Sequence, residues 1–261
     1  MNKKTRYIID KETRHCLMMA AVEQKGTIKV AELADQFGVT EATIRRDLVE
    51  LDSKNLVKRV HGGVTNSRGR SYEPTLTFRN TVNIDKKARI GKLAAELVNE
   101  GDCIALDIGS TTYEVANNLI GKRNLTVITP SFPIASRLIN QPDLCLVLTG
   151  GIVRPGETSM VGEIAQRTFD ILYVDLLFLG VGGIDAKGGL TEYNWDDTLV
   201  KKAMLKRAKK VVIVADSSKH NRIAAFLIAP LEKINILITD QEPSSPLKEA
   251  LKELNIKIMV A

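Results

Sequence analysis

Two parts of this sequence combine residue types and spacings that could bind an anionic partner. The first is the run TEATIRRDL at residues 40–48, where hydroxyl side chains precede two adjacent arginines. At the start of a helix, short hydroxyl side chains can approach phosphates and base edges, and the helix N-terminus itself favours a phosphate. Arg45 or Arg46 could then pair with a guanine edge or with backbone oxygens. The run therefore predicts a nucleic-acid contact, although the pattern alone also fits a plain helical bundle.

The segment 56–65, which follows this run, adds a second basic element. Arg59 and His61 stand beside Gly62 and Gly63. Glycines without side chains would let the backbone lie close to a duplex. Together with Thr40, Thr43, Arg45 and Arg46, these four residues form the predicted nucleic-acid contact set.

The second part is a series of loops that each follow a predicted strand. In the loop 107–112, DIGSTT, Gly109 permits a tight turn, and exposed N–H groups, hydroxyls and a following helix N-terminus form an anion site. Taken alone, this loop fits an ordinary capped helix equally well. Other strand ends carry glycine, hydroxyl or charged residues at 129–131, 149–151, 180–183, 191–192 and 216–219. Because the carboxyl ends of parallel strands face one crevice, these loops together predict a ligand site.

Helices and a hairpin must position the first part. Apolar spacing predicts three helices, over about 11–24, 30–37 and 40–53. Thr40 is suited to be the N-cap of the third helix. The segments 56–60 and 64–65 would form a two-stranded hairpin. This order of elements predicts a winged helix-turn-helix domain over residues 1–65.

From about residue 84 the sequence alternates between short apolar strands and amphipathic helices. The predicted strands lie at 103–107, 125–129, 144–148, 175–179, 211–215, 234–239 and 256–260. The predicted helices lie near 85–99, 112–121, 131–139, 161–169, 195–209 and 245–254. Strands that are continuously apolar are buried on both faces, so the pattern predicts a Rossmann-like parallel α/β domain over 84–261. The polar residues 66–83 are the predicted linker between the two domains.

Charge divides the chain in the same way. Residues 1–70 hold 14 Lys and Arg against 9 Asp and Glu, whereas the rest of the chain holds 23 against 22. A basic excess confined to the first quarter favours a polyanionic partner, although a solvated basic surface would give the same count. Three cysteines without metal-type spacing, and the lack of a secretory signal or a long apolar run, predict a cytoplasmic protein.

Several common sites are not indicated. The sequence contains no G-x-G-x-x-G, so a dinucleotide cofactor has no support. Residues 151–156 have the glycine spacing of a P-loop, but Glu157 stands where lysine is required. The three histidines lack zinc spacing, and His220 is interpreted as a surface residue. We therefore expect no cofactor and no metal.

The N-terminal residues resemble the DeoR family signature. The matching run is Arg14-x3-Met18-x3-Val22 and, after seventeen residues, Thr40-x2-Thr43-Ile44-Arg45-Arg46-Asp47-Leu48. The segment 56–63, LVKRVHGG, resembles the wing of that family. The resemblance implies a DNA-binding regulator and carries DNA contacts onto Thr43, Arg45, Arg46, His61, Gly62 and Gly63. We expect Asp47 to pair with a nearby basic group, because an unpaired carboxylate there would repel DNA.

The C-terminal domain also resembles the DeoR sensor domain, which is similar in fold to ribose-5-phosphate isomerase and glucosamine-6-phosphate deaminase. The resemblance implies a sugar-phosphate pocket lined by Asp107, Gly109, Ser110, Thr111, Thr112, Gly150, Gly151, Gly182, Gly183, Glu192, Lys201 and Lys219. In that pocket Ser110, Thr111, Thr112 and Lys219 would hold the phosphate, while Asp107 and Glu192 would accept hydrogen bonds from sugar hydroxyls. Lys201, inside KKAMLKRAKK, fits an exposed helical lysine equally well.

The sequence departs from the family pattern at two positions. Thr129-Pro130 replaces the usual Thr-Asn, and His220 replaces the phenylalanine that usually follows the DSSK lysine. The resemblance therefore does not specify which sugar binds.

The resemblance implies a repressor of carbohydrate catabolism that binds double-stranded operator DNA and a phosphorylated sugar. It also implies a homo-oligomer, either a dimer or a tetramer, and a protein that is not an enzyme. The alternative is a sugar-phosphate isomerase with an accessory nucleic-acid module, since Asp107 and Glu192 supply carboxylates that could act as a base.

Overall fold

A computed structural model describes residues 10–53, 56–65 and 69–261 of the chain. The chain divides into two units, residues 1–72 and 73–261. Residues 1–9 and 54–55 of the predicted DNA-binding domain, and 66–68 of the predicted linker, lie outside the described residues.

The smaller unit has the predicted three helices and hairpin. Its elements are α1 (Lys11–Lys25), β1 (Thr27–Lys29), α2 (Val30–Phe37), α3 (Glu41–Ser53), β2 (Lys58–Val60) and β3 (Gly63–Thr65). The strand β1 was not predicted, because three residues are too few to show a pattern. It pairs antiparallel with β3, which also pairs with β2, so β3 is the central strand of a three-stranded sheet.

Glycines end two of the helices where the pattern requires it. Gly26 has a φ of 77° and donates its N–H to Val22 O over 2.9 Å, while Gly38 adopts the left-handed conformation between α2 and α3. A buried core joins the helices to the sheet: Met18, Ile28, Leu33, Ile44, Leu48, Leu51 and Val64. The unit is therefore a winged helix-turn-helix.

The larger unit alternates strands and helices. Its strands are β4 (Cys103–Leu106), β5 (Leu125–Thr129), β6 (Leu144–Leu148), β7 (Ile152–Val153), β8 (Met160–Val161), β9 (Val174–Leu179), β10 (Gly183–Asp185), β11 (Gly189–Glu192), β12 (Ala208–Val214), β13 (Phe226–Ala229), β14 (Ile236–Thr239) and β15 (Lys257–Val260). Its helices are α4 (Leu76–Arg79), α5 (Ile84–Ala95), α6 (Ser110–Asn117), α7 (Phe132–Leu138), α8 (Glu163–Thr168), α9 (Trp195–Arg207) and α10 (Leu247–Glu253), with 3-10 turns at Phe169–Ile171, Ser217–Lys219 and Leu231–Lys233.

A parallel sheet is the centre of this unit. It has seven strands in the order β15-β14-β12-β9-β4-β5-β6. Neighbouring residues of one strand face opposite cores: Ile104 and Leu106 of β4 pack with α5, α6 and α7, whereas Ala105 packs with α8, α9 and α10. Burial on both faces is why these strands read as continuous apolar runs, and it confirms the predicted α/β architecture.

Two smaller sheets were not predicted. The strands β10, β11 and β13 form an antiparallel sheet, and β7 pairs with β8 in a hairpin. Their sequences are short and partly polar, so they read as loops. Both lie between strands of the main sheet along the chain.

The predicted linker 66–83 is partly folded. Residues 73–83 belong to the larger unit, contain α4, and bury Phe78. Thr75 caps α4 by accepting from Phe78 N, and Lys87 Nζ donates to Val82 O over 2.6 Å. The polar composition concealed this folding, because most of the contacts are ionic or hydrogen-bonded. In the ranges described above, no helix combines the length and the apolar character that crossing a membrane requires.

This difference can be tested by limited trypsin digestion. Arg70 is exposed next to the unit boundary, whereas the Arg79 side chain is ion-paired and its backbone is folded. We expect trypsin to cut first after Arg70 or at an earlier position, because proteases cut locally extended chain. The larger fragment would then begin at Ser71 or earlier. Mass spectrometry of the first fragments checks this. A first cut after Arg79 would contradict the folding of residues 73–83.

Candidate functional site

The first candidate surface is the exposed side of α3. Thr40 caps this helix, since its Oγ1 accepts from Thr43 N at 3.2 Å and lies 3.0 Å from Thr43 Oγ1. Arg45 and Arg46 are exposed, and Arg45 Nη2 lies 2.5 Å from Glu41 Oε2. An exposed i, i+4 pair of this kind is weak, so the Arg45 guanidinium is free to exchange Glu41 for a phosphate or a base.

Asp47 lies behind this surface and is buried. Its Oδ2 accepts from Arg14 Nε at 2.7 Å, and its Oδ1 lies 3.1 Å from His15 Nε2. Burial alone would raise the pKa of Asp47, but the hydrogen bonds from Arg14 and His15 outweigh burial and lower it. The expected pairing of Asp47 with a basic group is confirmed, and its side chain is buried. Asp47 thus joins α1 to α3 and keeps its carboxylate away from the exposed side that carries Arg45 and Arg46.

The wing presents two of its predicted residues to solvent. Arg59 and His61 are exposed, and Gly62, with a φ of 74°, makes the turn. Gly63 differs, because it is buried and a Cβ there would lie 2.5 Å from Ile28 O. The missing side chain at Gly63 therefore serves the pairing with β1.

The second candidate site is centred on a buried ion cluster. Lys201 Nζ contacts Asp107 Oδ2, lies 3.2 Å from Glu192 Oε2, and donates to Gly180 O over 3.0 Å. The Lys201 side chain is 1% exposed, so its interpretation as an exposed helical lysine is wrong. Burial alone would lower the pKa of Lys201, but the two carboxylates keep it raised, and the lysine stays charged.

This cluster joins three elements of the fold. Asp107 follows β4, Glu192 ends β11, and Lys201 lies on α9. Asp107 Oδ2 also accepts from Gly180 N at 3.0 Å, which adds the loop after β9. Within the described residues, Asp107 Oδ1 has no hydrogen-bond partner although it is buried. That orphaned oxygen is available to accept from a bound hydroxyl.

Tyr193 connects the cluster to the loop that contains Lys219. Its hydroxyl donates to Gly182 O over 3.0 Å, and Lys219 Nζ lies 3.5 Å from the same hydroxyl. A Cβ at Gly182 would lie 2.9 Å from the Tyr193 ring, and one at Gly183 would lie 2.3 Å from Arg222 O. Sequence reasoning missed Tyr193, since a tyrosine in a short loop carries no distinguishing pattern.

A cavity of about 350 Å³ lies beside the loop 107–112. Its lining residues are Leu76, Asn80, Gly109, Tyr113, Ser131, Pro133 and Ser136. Gly109 has a φ of 135°, which favours glycine, and starts α6. Thr112 donates its hydroxyl to Gly109 O and so shapes the turn, while Ser110 is buried and Thr111 half-buried at the helix start.

Gly150 and Gly151 stand apart from this group. Both have positive φ, and a Cβ at Gly151 would lie 2.5 Å from Val161 O. They bring the loop after β6 against β8 and α8. No contact found in the described part of the chain joins them to the Lys201 cluster.

Two further features differ from what the sequence predicted: His220 was misjudged, and a second ion cluster was missed. His220 is half-buried, and its Nε2 lies 3.0 Å from Thr239 Oγ1, so its interpretation as a surface residue is wrong.

The second cluster contains Glu73, Arg79, Arg154, Glu157 and Asp197. Its members are too far apart in sequence to be predicted as neighbours. In the part of the chain that the structure describes, no group of three or more His, Cys, Asp or Glu could hold a metal ion.

Comparison with known proteins bears on both units. A family model described as the DeoR-like helix-turn-helix domain matches residues 14–68, and one described as the DeoR C terminal sensor domain matches residues 82–241. The HTH-type transcriptional regulator YgbI of Escherichia coli K12 is 34% identical, over 95% of this chain and 97% of that protein. The glycerol-3-phosphate regulon repressor of the same organism is 30% identical, over 94% of this chain and 97% of that protein. Ribose 5-phosphate isomerase A from Methanocaldococcus jannaschii matches with a TM-score of 0.39 and 21% identity, over 53% of this chain and 55% of that chain.

The ion cluster predicts a specific stability effect. Lys201→Met would leave Asp107 and Glu192 buried without their cation, so we expect it to lower the free energy of unfolding by about 3–5 kcal/mol at pH 8. Unpaired buried carboxylates have pKa values above their unfolded values, so protonation should recover part of this loss as the pH falls toward 5. Urea unfolding at both pH values measures it. Lys206→Met, which removes an exposed lysine of the same helix, is the control and should change stability little. Equal stability of the two variants would contradict the account of the cluster.

Proposed function

This chain is a member of the DeoR family of transcriptional regulators, and we propose that a small phosphorylated sugar controls how tightly it binds operator DNA. The observation that carries the proposal is the grouping of Asp107, Glu192 and Lys219. These residues come from distant parts of the chain and lie together around Lys201 and Tyr193. Asp107 and Lys219 follow the parallel strands β4 and β12 at their carboxyl ends, and Glu192 ends the antiparallel strand β11. Ligands of open α/β sheets bind at that edge.

DNA binding is assigned to α3 and the wing. Arg45 and Arg46 face solvent, and Asp47 is neutralised behind them by Arg14. Thr40 is engaged as the helix cap, so its proposed contact with DNA is through the helix N-terminus that it completes. Arg59 and His61 extend the basic surface along the wing. A helix-turn-helix reads one half-site, and for that reason we propose a homo-oligomer, a dimer or a tetramer. We also propose a cytoplasmic location, since the regulator must reach operator DNA.

The effector is assigned to the larger unit. Ser110, Thr111 and Thr112 stand at the N-terminus of α6, where N–H groups and the helix dipole favour a phosphate, and Lys219 adds a positive charge. Asp107 Oδ1 and Glu192 would accept hydrogen bonds from sugar hydroxyls. Lys201 is proposed to position these two carboxylates, since its own donors are taken by Asp107, Glu192 and Gly180. The glycerol-3-phosphate regulon repressor, to which the chain is similar, supports a phosphorylated effector and a repressor.

We propose that this site senses its ligand without converting it. An isomerase needs a carboxylate base with a free lone pair and a pKa suited to proton transfer. Here Lys201 Nζ contacts Asp107 Oδ2 and lies 3.2 Å from Glu192 Oε2, so one oxygen of each carboxylate is already engaged by the protein itself. The matching relatives named above are regulators, which agrees with this assignment.

The DNA assignment predicts the effect of removing either arginine. Arg45→Ala or Arg46→Ala should each weaken operator binding by about 1–3 kcal/mol, and an arginine that contacts phosphate should also reduce the salt slope by about one. Fluorescence anisotropy with a duplex selected by the wild-type protein from a random pool measures both. Lys210→Ala, an exposed position at the start of β12, is the control. Unchanged affinity of the Arg45→Ala/Arg46→Ala double variant would refute the assignment.

The effector assignment predicts a response defect. Lys219→Ala removes a charge-assisted hydrogen bond worth about 1.5–3 kcal/mol, so the affinity for a stabilising sugar phosphate should fall by at least ten-fold while DNA binding without ligand persists. Thermal stabilisation by a panel of sugar phosphates, followed by operator titration, measures this.

Two outcomes would overturn the effector assignment. Unchanged ligand affinity in Lys219→Ala would show that the phosphate lies elsewhere. Turnover of the sugar phosphate, seen as new NMR signals and abolished by Asp107→Asn or Glu192→Gln, would establish the isomerase alternative.

A further inference from the structure

Residues 73–83, here called the strap, begin directly after Tyr72, the last residue of the smaller unit. The strap includes α4 and leads into α5 at Ile84. The strap is therefore the segment by which the chain leads from the smaller unit into the larger one.

One side of the strap lines the cavity beside the proposed phosphate loop. Leu76 and Asn80 form part of its wall, together with Gly109, Tyr113 and Ser131. The side-chain amide of Asn80 makes no hydrogen bond to any described residue, and Asn80 is exposed. A carboxamide both donates and accepts, so it suits a hydroxyl group of a ligand in this cavity.

Ion pairs hold the start of the strap. Glu73 Oε2 lies 2.8 Å from Arg154 Nη2, and Glu73 Oε1 lies 3.4 Å from Arg79 Nη2. Arg79 also contacts Glu157, and Arg154 Nη2 lies 2.8 Å from Asp197 Oδ2. All five side chains are at most 18% exposed, and the three carboxylates outnumber the two guanidinium groups.

The imbalance of charge makes this cluster adjustable. Burial raises the pKa of Glu157 to about 7 and that of Asp197 to about 6, against the opposing effect of Arg79 and Arg154. At neutral pH, Glu157 and Asp197 are therefore close to the pH at which their charge changes.

Both ends of the strap are anchored to elements that carry residues of the proposed effector site, either a positioning residue or a contact. At the start, Asp197 lies on α9, one helical turn before Lys201. At the end, Asn83 Nδ2 donates to Asp216 Oδ1 over 3.2 Å, and Asp216 opens the short loop that contains Lys219. The strap thus makes direct polar contacts with two elements of the proposed effector site, α9 and the loop that contains Lys219.

We propose that the strap recognises the sugar part of the effector through Asn80 and passes its occupancy to the DNA-binding unit, with Glu73 and Arg154 as its anchor. This rests on the proposed function for the identity of the ligand. It adds Asn80 as a specificity-determining contact and assigns the segment that couples the two activities.

The experiment compares full-length variants in two assays. Binding of glycerol 3-phosphate, ribose 5-phosphate and inorganic phosphate is measured by calorimetry, and the selected operator duplex is titrated with and without each compound. Asn80→Ala should lower the affinity for the sugar phosphate by about three- to ten-fold, as expected for the loss of one neutral hydrogen bond. The affinity for inorganic phosphate should not change. Thr77→Ala, an exposed position of the same strap that does not line the cavity, should change neither.

Glu73→Gln tests the anchor. This variant removes a charge without removing volume, and it should keep wild-type ligand affinity while losing most of the ligand-induced change in operator affinity. Arg154→Met is a second variant, and it should lose the same response. Should Arg154→Met fail to fold, Glu73→Gln alone decides the point.

The outcomes separate the strap from the proposed function. Wild-type protein that binds a sugar phosphate, with Asn80→Ala binding it equally well or with Glu73→Gln responding fully, would overturn the role of the strap and leave the proposed function standing. Wild-type protein that binds none of the three compounds would overturn the sugar-phosphate assignment and the role of the strap with it.

Discussion

The larger unit depends on one buried ammonium group. Removing a lysine from water costs several kcal/mol unless carboxylates and carbonyls replace the lost hydration. Lys201 finds these in Asp107, Glu192 and Gly180, which belong to three different parts of the chain. The position of α9 against the ends of β4, β9 and β11 is fixed by this requirement. The loop 107–112 therefore has a defined position before any ligand binds, and Asp107 keeps one oxygen for it.

The smaller unit also contains a buried charge that is paired within the protein. Asp47 is paired internally with Arg14 and His15, so a carboxylate on the recognition helix strengthens packing and does not repel DNA. The two units are joined through a segment that holds its own ion cluster. Buried charges at Asp47, Lys201 and Arg154 thus stabilise, in turn, the packing behind α3, the proposed effector site and the anchoring of the strap.

Much of the fold could be predicted from sequence, because the strongest signals are local. Continuous apolar runs such as LTVIT at 125–129 predicted all strands of the parallel sheet, and the cap at Thr40 predicted the start of α3. Strands such as β1 and β11 were missed because their pairing with distant partners, and not their own composition, makes them strands. Lys201 and the strap were misjudged for a related reason. A lysine in KKAMLKRAKK or a polar stretch at 73–83 reads as solvated until the distant partners Asp107 and Arg154 are known. The roles of the site residues in binding remain predictions.

The proposed coupling between effector and operator affinities must be reciprocal. It can be measured as the dissociation constant of the sugar phosphate for the free protein and for the protein saturated with operator duplex. We expect the two constants to differ by about 5–150-fold, by the same factor that the sugar phosphate imposes on operator affinity. Identical constants in the presence and absence of DNA would contradict it.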